Sequence, residues 1–285
     1  MGDTMGTIKA IILDTETHAL HGNAIEIAHY PLDLSSGVLR FNRKEFFNER
    51  FNPGQPIDLG AMAVHNILDE DVANKPLHDT FRLDQDIVYL VGHNIDYDFK
   101  TLRRCGITQD FKLIDTLAMA KALLPEAPNH KLATLSYYLT QDKAKVREYL
   151  KNAHSALVDV DLTAILLQHL IKKIERCDSI EDLYIFSMKC RVPTVMPFGE
   201  HKGVQISLLP KKYKLWIATQ TKFDPWIKFA IELDAASLAR RHHESMKGLI
   251  PGTYEDYQFI GSRQPLDTPA MEIYEAVWEN SLGRK

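Results

Sequence analysis

Two carboxylates one residue apart, Asp14 and Glu16, close a short apolar run. That run, Thr7–Leu13 (TIKAIIL), is β-branched and reads as a buried strand stopping at Asp14. Alternate residues of a strand share a face, so the two carboxylates project together. Paired carboxylates at the end of a buried strand repel each other and are tolerable when solvated or bridged by a cation. Hard oxygen donors of this kind suit Mg²⁺ or Mn²⁺. A solvated strand-end loop would also accept the pair. A second group of polar residues, Gly92-His93-Asn94-Ile95-Asp96-Tyr97-Asp98, follows another buried strand and opens a helix. Sites in α/β sheets gather at such carboxyl ends, although an aspartate opening a helix can also be a plain cap. The third group is His154-Ser155-Ala156-Leu157-Val158-Asp159. The histidine precedes a long helix and Asp159 falls in its first turns. Asp161 lies about 200° further round that helix and is the weaker ligand candidate.

The elements that must carry these groups follow from the apolar pattern. Ala24–Tyr30 (AIEIAHY) alternates as a second strand, reached through a turn at Gly22-Asn23, and Gly37–Phe41 reads as a third. Asp86–Val91 is a buried strand, and Phe111–Ile114 a short one. Helices are expected over Leu59–Ile67, Asp98–Cys105, Asp115–Leu123 and Ala156–Arg176, the last with apolar residues at helical spacing. Three strands followed by alternating helices and strands imply an α/β layered domain with a mixed sheet. The organisation expected is a domain over residues 1–176, a connection over 177–194, a small module over 195–247 and a tail over 248–285 with a short helix at Ala270–Asn280.

Charge separates these segments. Residues 191–247 carry ten Lys/Arg against five Asp/Glu, whereas residues 248–285 carry three against six. A locally basic segment can hold phosphates although the whole chain is net −4. Lys202, Lys211, Lys212 and Lys214 interleave with Tyr213 and Trp216, which suits backbone contact and base stacking. For the aromatics, a small core in which Phe198, Trp216, Trp226 and Phe229 pack together is the favoured reading. Three cysteines, far apart and without a C-x-x-C pair, speak for a reducing, cytoplasmic setting and against zinc. The polar N-terminus is too short for a signal peptide, and no apolar run reaches the roughly 18 residues of a membrane span.

Taken in order, Asp-x-Glu after a first strand, H-N-x-x-[FY]-D after an inner strand, and H-x-A-x-x-D on a late helix resemble the DEDD exonuclease superfamily in its histidine-bearing DEDDh branch. The resemblance covers about residues 7–175. It implies a ribonuclease H-like fold: α/β, a mixed five-stranded sheet flanked by helices. It implies Asp14, Glu16, Asp98 and Asp159 as ligands of two Mg²⁺ ions, with Mn²⁺ able to substitute, and His154 as general base. The activity implied is 3′→5′ exonucleolytic release of nucleoside 5′-monophosphates, most readily from a DNA 3′ end, single-stranded or frayed. RNA is the alternative substrate, and a non-catalytic nucleic-acid-binding or polymerase-associated subunit the alternative class.

Ala63-Val64-His65-Asn66-Ile67 looks like the family's helix-borne histidine segment, and Asp115-Thr116 like its D-T step. Thr15, Thr17, Leu20, His65 and Asn94 stand in or beside the motifs and are expected at the substrate. Leu20 is apolar in a polar turn and could meet a terminal base or simply pack beneath the loop. The chain departs from the family at His18-Ala19, where Thr-Gly is usual, and at Ile95 and Tyr97. These touch the substrate loop rather than the ligands. Residues 195–235, with Met196-Pro197-Phe198-Gly199-Glu200-His201-Lys202-Gly203 and Leu208-Leu209-Pro210, resemble the α+β C-terminal module of exodeoxyribonuclease X-like proteins. There Lys202, Lys211 and Lys212 are the expected phosphate contacts.

Overall fold

The computed structural model describes residues 9–150 and 155–234. His154, residues 235–247 and the tail with its expected helix lie outside the described residues. Six strands form one sheet: β1 (Lys9–Thr17), β2 (Ala24–Ser35), β3 (Val38–Phe41), β4 (Phe47–Arg50), β5 (Ile87–Gly92) and β6 (Lys112–Asp115). Their order is β3-β2-β1-β5-β6, with β4 also paired to β2. The pairs β1/β2, β2/β3 and β2/β4 are antiparallel, and β1/β5 and β5/β6 are parallel. The sheet is mixed, with six strands where five were expected. The extra strand, β4, pairs Asn48 and Glu49 with Ala28 and Ile27. Four residues reading FNER carry no strand pattern of their own; Phe47 secures them by stacking on His29 at 5.0 Å.

β1 does not stop at Asp14. Pairing of Thr15 with Ile27 and Glu16 with Glu26 carries it to Thr17, where a bulge ends the register. Both carboxylates therefore sit inside a strand. The helices are α1 (Leu59–His65), α2 (Asp69–Val72), α3 (Ile95–Arg104), α4 (Thr116–Leu123), α5 (Leu132–Leu139), α6 (Lys143–Leu150), α7 (Ala156–Ile171), α8 (Ile180–Arg191) and α9 (Lys211–Thr219). α3 begins three residues before Asp98, after Asn94 turns the chain at φ 74°. Gly92 makes the turn possible: a Cβ there would stand 2.7 Å from Ile95 Cδ1 and 3.2 Å from the Leu13 carbonyl oxygen.

Helix α7 packs across β1 and β2, and α3 across β1, β5 and β6. Between α3 and the sheet lies a core of Ile11, Leu13, Leu90, Ile95 and Leu102 with Phe51 and Phe81. Each of these large side chains contributes about 1.5–3 kcal/mol by leaving water. Residues 180–191, expected within a connection, form α8. Its Ser187 hydroxyl accepts the Asp115 backbone N–H at 2.7 Å.

The chain divides into two compact units, ending at Cys190 and beginning at Arg191. The described part of the second unit starts with a hairpin-like turn, in which Met196 N–H donates to the Val204 carbonyl and Gly203 N–H to that of Met196, both at 2.8 Å. α9 follows, and residues 225–234 are helical. Its core is aliphatic: Met196, Ile206, Leu209, Ile217, Ile227 and Ile231. Among the described residues no helix is long and apolar enough to cross a membrane.

Candidate active site

One carboxylate oxygen from each of Asp14, Glu16 and Asp159 lies within 4.8 Å of the others. The first two come from one face of β1, and Asp159 from the first turn of α7. Asp98 joins them electrostatically from α3, where it is buried. Its charge is the largest of those raising the Asp14 carboxyl, after the effect of burial itself. The Asp14 carboxyl is held well above the ordinary carboxylate range by burial and then by Asp98, Asp159, Glu16 and Glu26. Burial, with Asp159 and Glu26 next, pushes Glu16 up to about 9. Burial pushes Asp98 up to about 7, against hydrogen bonds from Thr15 that favour its charged form. Four clustered carboxyls, of which Asp14, Glu16 and Asp98 are desolvated by burial, suit a divalent cation, whose charge would offset both the repulsion and the desolvation.

Thr15, expected at the substrate, turns its hydroxyl to Asp98 Oδ1 at 2.8 Å. It lies between two metal-ligand candidates in the chain and holds a third in place. Asp161, weighed against Asp159, belongs elsewhere: it accepts from Arg43 Nε at 3.0 Å and Tyr30 Oη at 3.1 Å.

Sequence reasoning missed Glu26. It stands opposite Glu16 in the β1/β2 register and is 4% exposed. Its Oε2 accepts the Ala156 N–H at 2.8 Å, and its Oε1 lies 3.4 Å from Arg50 Nε. Ser155, at the cap position of α7, makes no side-chain cap bond. A buried carboxylate from a neighbouring strand thus meets the positive end of the helix that begins at Ala156, two residues after His154, and carries Asp159. The alternation of AIEIAHY placed a charged residue among apolar ones, which was the available signal.

The turn after β1 is tightly built. Thr17 Oγ1 donates to the Ala19 carbonyl at 2.8 Å and is bonded to the Tyr97 hydroxyl. His18 Nδ1 accepts the Asn23 N–H at 2.8 Å, and Arg104 Nε donates to the Gly22 carbonyl at 2.7 Å. A Cβ on Gly22 would stand 2.7 Å from both the Ala19 nitrogen and His18 Nδ1. On this braced turn Leu20 is 82% exposed. Asn94 is exposed at the start of α3, and its N–H donates to Asp115 Oδ1 at 3.0 Å. The same oxygen caps α4 through the Leu117 N–H at 2.9 Å. His65 is buried at the end of α1, its Nδ1 accepting the Ile67 N–H at 3.0 Å.

In the second unit Lys202, Lys211 and Lys212 are exposed. Lys214 is instead paired with Asp234 at 2.6 Å and bonded to the Ser207 carbonyl at 3.0 Å. Of the aromatics expected in one small core, Trp226 pairs with Phe229, while Phe198 and Trp216 each meet Phe223. Phe229 is buried, whereas Phe198 and Trp216 are exposed beside a core cluster that is aliphatic.

Comparison with known proteins identifies a family. A model of the exonuclease family matches residues 11–167. The DNA polymerase III PolC-type of Lacticaseibacillus paracasei is 29% identical over 181 residues, covering 59% of this chain but only 12% of that protein. Exodeoxyribonuclease 10 of Escherichia coli is 26% identical over 210 residues, covering 72% of this chain and 89% of that one. The structure of E. coli Exonuclease I in complex with a dA16 oligonucleotide superposes with a TM-score of 0.51 at 14% identity, over 95% of this chain and 80% of that one. That is a likeness of fold, and the fold is the ribonuclease H-like one. The family model spans more than half of the chain and encloses Asp14, Glu16, Asp98, His154 and Asp159, so the chain belongs to the exonuclease family, the one its DEDDh-type motifs resemble.

Proposed function

We propose that the chain is a 3′→5′ exonuclease that removes nucleoside 5′-monophosphates from DNA. The observation that carries this reading is the convergence of Asp14, Glu16 and Asp159, with the charge of the buried Asp98 acting on Asp14. These four carboxylates would hold two Mg²⁺ ions, with Mn²⁺ as a substitute. Bound there, the ions supply positive charge for the negative charge developing on the phosphodiester.

The chain's own residues do the rest. Thr15 orients Asp98 and favours its charged form. Glu26 anchors the start of α7, and so the position of Asp159. His154, with a reference pKa near 6.5, takes the proton of the attacking water as general base. Leu20, on its braced turn, meets the terminal base; Asn94 and His65 line the approach; the bonded hydroxyl of Thr17 holds the turn to Tyr97. Lys202, Lys211 and Lys212, in a module spanning residues 195–247, contact phosphates further along the strand. The relative named an exodeoxyribonuclease and the oligonucleotide-bound neighbour both favour DNA.

Single-stranded DNA, duplex DNA and RNA, each labelled at the 5′ end, test the reading in one gel with Mg²⁺ and with chelator. DNA shortening stepwise from its 3′ end, lost with chelator and in Asp14→Asn, is the expected result. Shortening of RNA alone would make the enzyme an exoribonuclease, and no shortening of any substrate would leave a binding subunit.

A further inference from the structure

The second unit carries five aromatic rings in a row on its surface. His201 meets Tyr213 edge-on at 4.4 Å, and Tyr213 stacks on Trp216 at 5.4 Å with 24° between planes. Trp216 meets Phe223 at 5.9 Å, and Phe223 meets Phe198 at 5.6 Å. Tyr213 and Phe223 are the anchors, partly buried against the aliphatic core. Trp216 and Phe198 are the exposed members, at 48% and 46%. The core is filled by isoleucines, Leu209 and Met196, so neither exposed ring is needed to close it. Half-exposed Trp and Phe in one contiguous row are an interaction feature rather than a scattered surface residue.

The charges beside the row say which partner fits. Lys212 precedes Trp216 by four residues on α9 and so shares its helix face. Lys211 precedes it, and Lys202 follows His201, the ring that meets Tyr213; all three are exposed. Glu200, whose Oε1 lies 3.5 Å from His201 Nε2, is the acid at that end, and Asp224 follows Phe223 in the chain. An apolar protein face laid on the rings would desolvate three ammonium groups without compensation. A single-stranded nucleic acid satisfies both features: flat bases for the ring faces and phosphates for the lysines.

We propose that Phe198, Trp216 and the three flanking lysines form a sequence-tolerant platform for single-stranded nucleic acid outside the catalytic unit. Its use in holding substrate rests on the exonuclease reading above; the binding itself does not. A trinucleotide offers too few bases and phosphates to fill these five side chains, so the platform lowers KM for long strands and leaves short ones unaffected.

The test uses the full chain with Trp216→Ala, Trp216→Phe and Lys211→Ala/Lys212→Ala. Binding of a fluorescent oligothymidylate is measured in chelator, and hydrolysis of a trinucleotide and of a long strand in Mg²⁺. Trp216→Ala is expected to weaken oligothymidylate binding about tenfold, with Trp216→Phe restoring most of it. The double lysine variant should lower the slope of log K against log salt by about 1.4, two phosphate contacts at about 0.7 each. Long-strand KM should rise about tenfold in Trp216→Ala, with trinucleotide turnover and melting temperature unchanged. Unchanged oligothymidylate affinity in Trp216→Ala overturns the platform. So does loss of self-association in that variant with nucleic-acid binding intact, which makes the face a protein contact. Wild-type protein that hydrolyses neither substrate overturns the exonuclease reading instead, and Trp216-dependent binding in that protein still supports the platform.

Discussion

Substituting Glu26 isolates the part that helix placement has in catalysis. Glu26→Ala removes the acceptor of the Ala156 N–H and the partner of Arg50. A hydrogen bond to a charged group contributes about 1.5–3 kcal/mol. For a unit of this size each kcal/mol moves Tm by about 2–4 °C, which gives a fall of about 3–12 °C. Relief of the repulsion that Glu26 exerts on Glu16 and Asp14 offsets part of that. Turnover should suffer more than stability. Asp159 lies one turn beyond Ala156 and His154 two residues before it, and a misplacement of about 1 Å can cost about 100-fold. Glu26→Gln keeps an acceptor for the N–H while losing the charge, and should retain turnover within about tenfold of wild type. The assay is single-turnover digestion of a labelled strand at saturating Mg²⁺, well below each variant's Tm, beside a calorimetric scan. Wild-type turnover and Tm in Glu26→Ala would refute the reasoning, as would equal losses in the Ala and Gln variants.

Three further outcomes are expected. Thr15→Val removes the donor that favours the charged Asp98 carboxyl, so that carboxyl rises further and half-saturating Mg²⁺ at pH 7 increases by about tenfold or more; a titration curve superimposable on wild type counts against it. Glu16 and Asp98 titrate above their unfolded values, so the cation-free protein loses stability as pH rises from 3.8, the ordinary Asp value, to about 9. Mg²⁺ at about 100 times its Kd should then add about 2.7 kcal/mol, or about 5–11 °C, near pH 8, and less near pH 5.5; an equal increment at both values in thermal scans contradicts the cluster. His154→Ala should lower kcat about 10²–10⁴-fold with half-saturating Mg²⁺ unchanged, measured by quench-flow, and near-normal turnover removes histidine from the chemistry.

Much of the sheet and the order of the acids could be read from local pattern. The alternation at Asp14-Thr15-Glu16 put two carboxylates on one face, and helical spacing separated Asp159 from Asp161, which the structure gives to Arg43 and Tyr30. What escaped depends on partners distant in sequence. Glu26 matters through a register that sets it against Glu16, and through a helix 130 residues away. Thr15 is expected at the substrate from its place between ligand candidates, whereas the partner of its hydroxyl, Asp98, lies 83 residues on. β4 is a strand only because β2 is beside it. The aromatics of the second unit cannot be sorted into core and surface by type, since Trp216 and Phe229 look alike until the aliphatic core is in place.

The braced turn after β1 also bears on the entropy of binding. Its backbone is fixed by Thr17, His18 and Arg104 before any strand arrives. Ordering a residue costs about 1–2 kcal/mol, and here folding has already met that cost for Leu20. A nucleotide that reaches the exposed leucine therefore freezes a side chain rather than a loop. On the proposed reading, apolar contact at Leu20 would go into holding the base, and a change in its size should be felt in affinity without a compensating change in order.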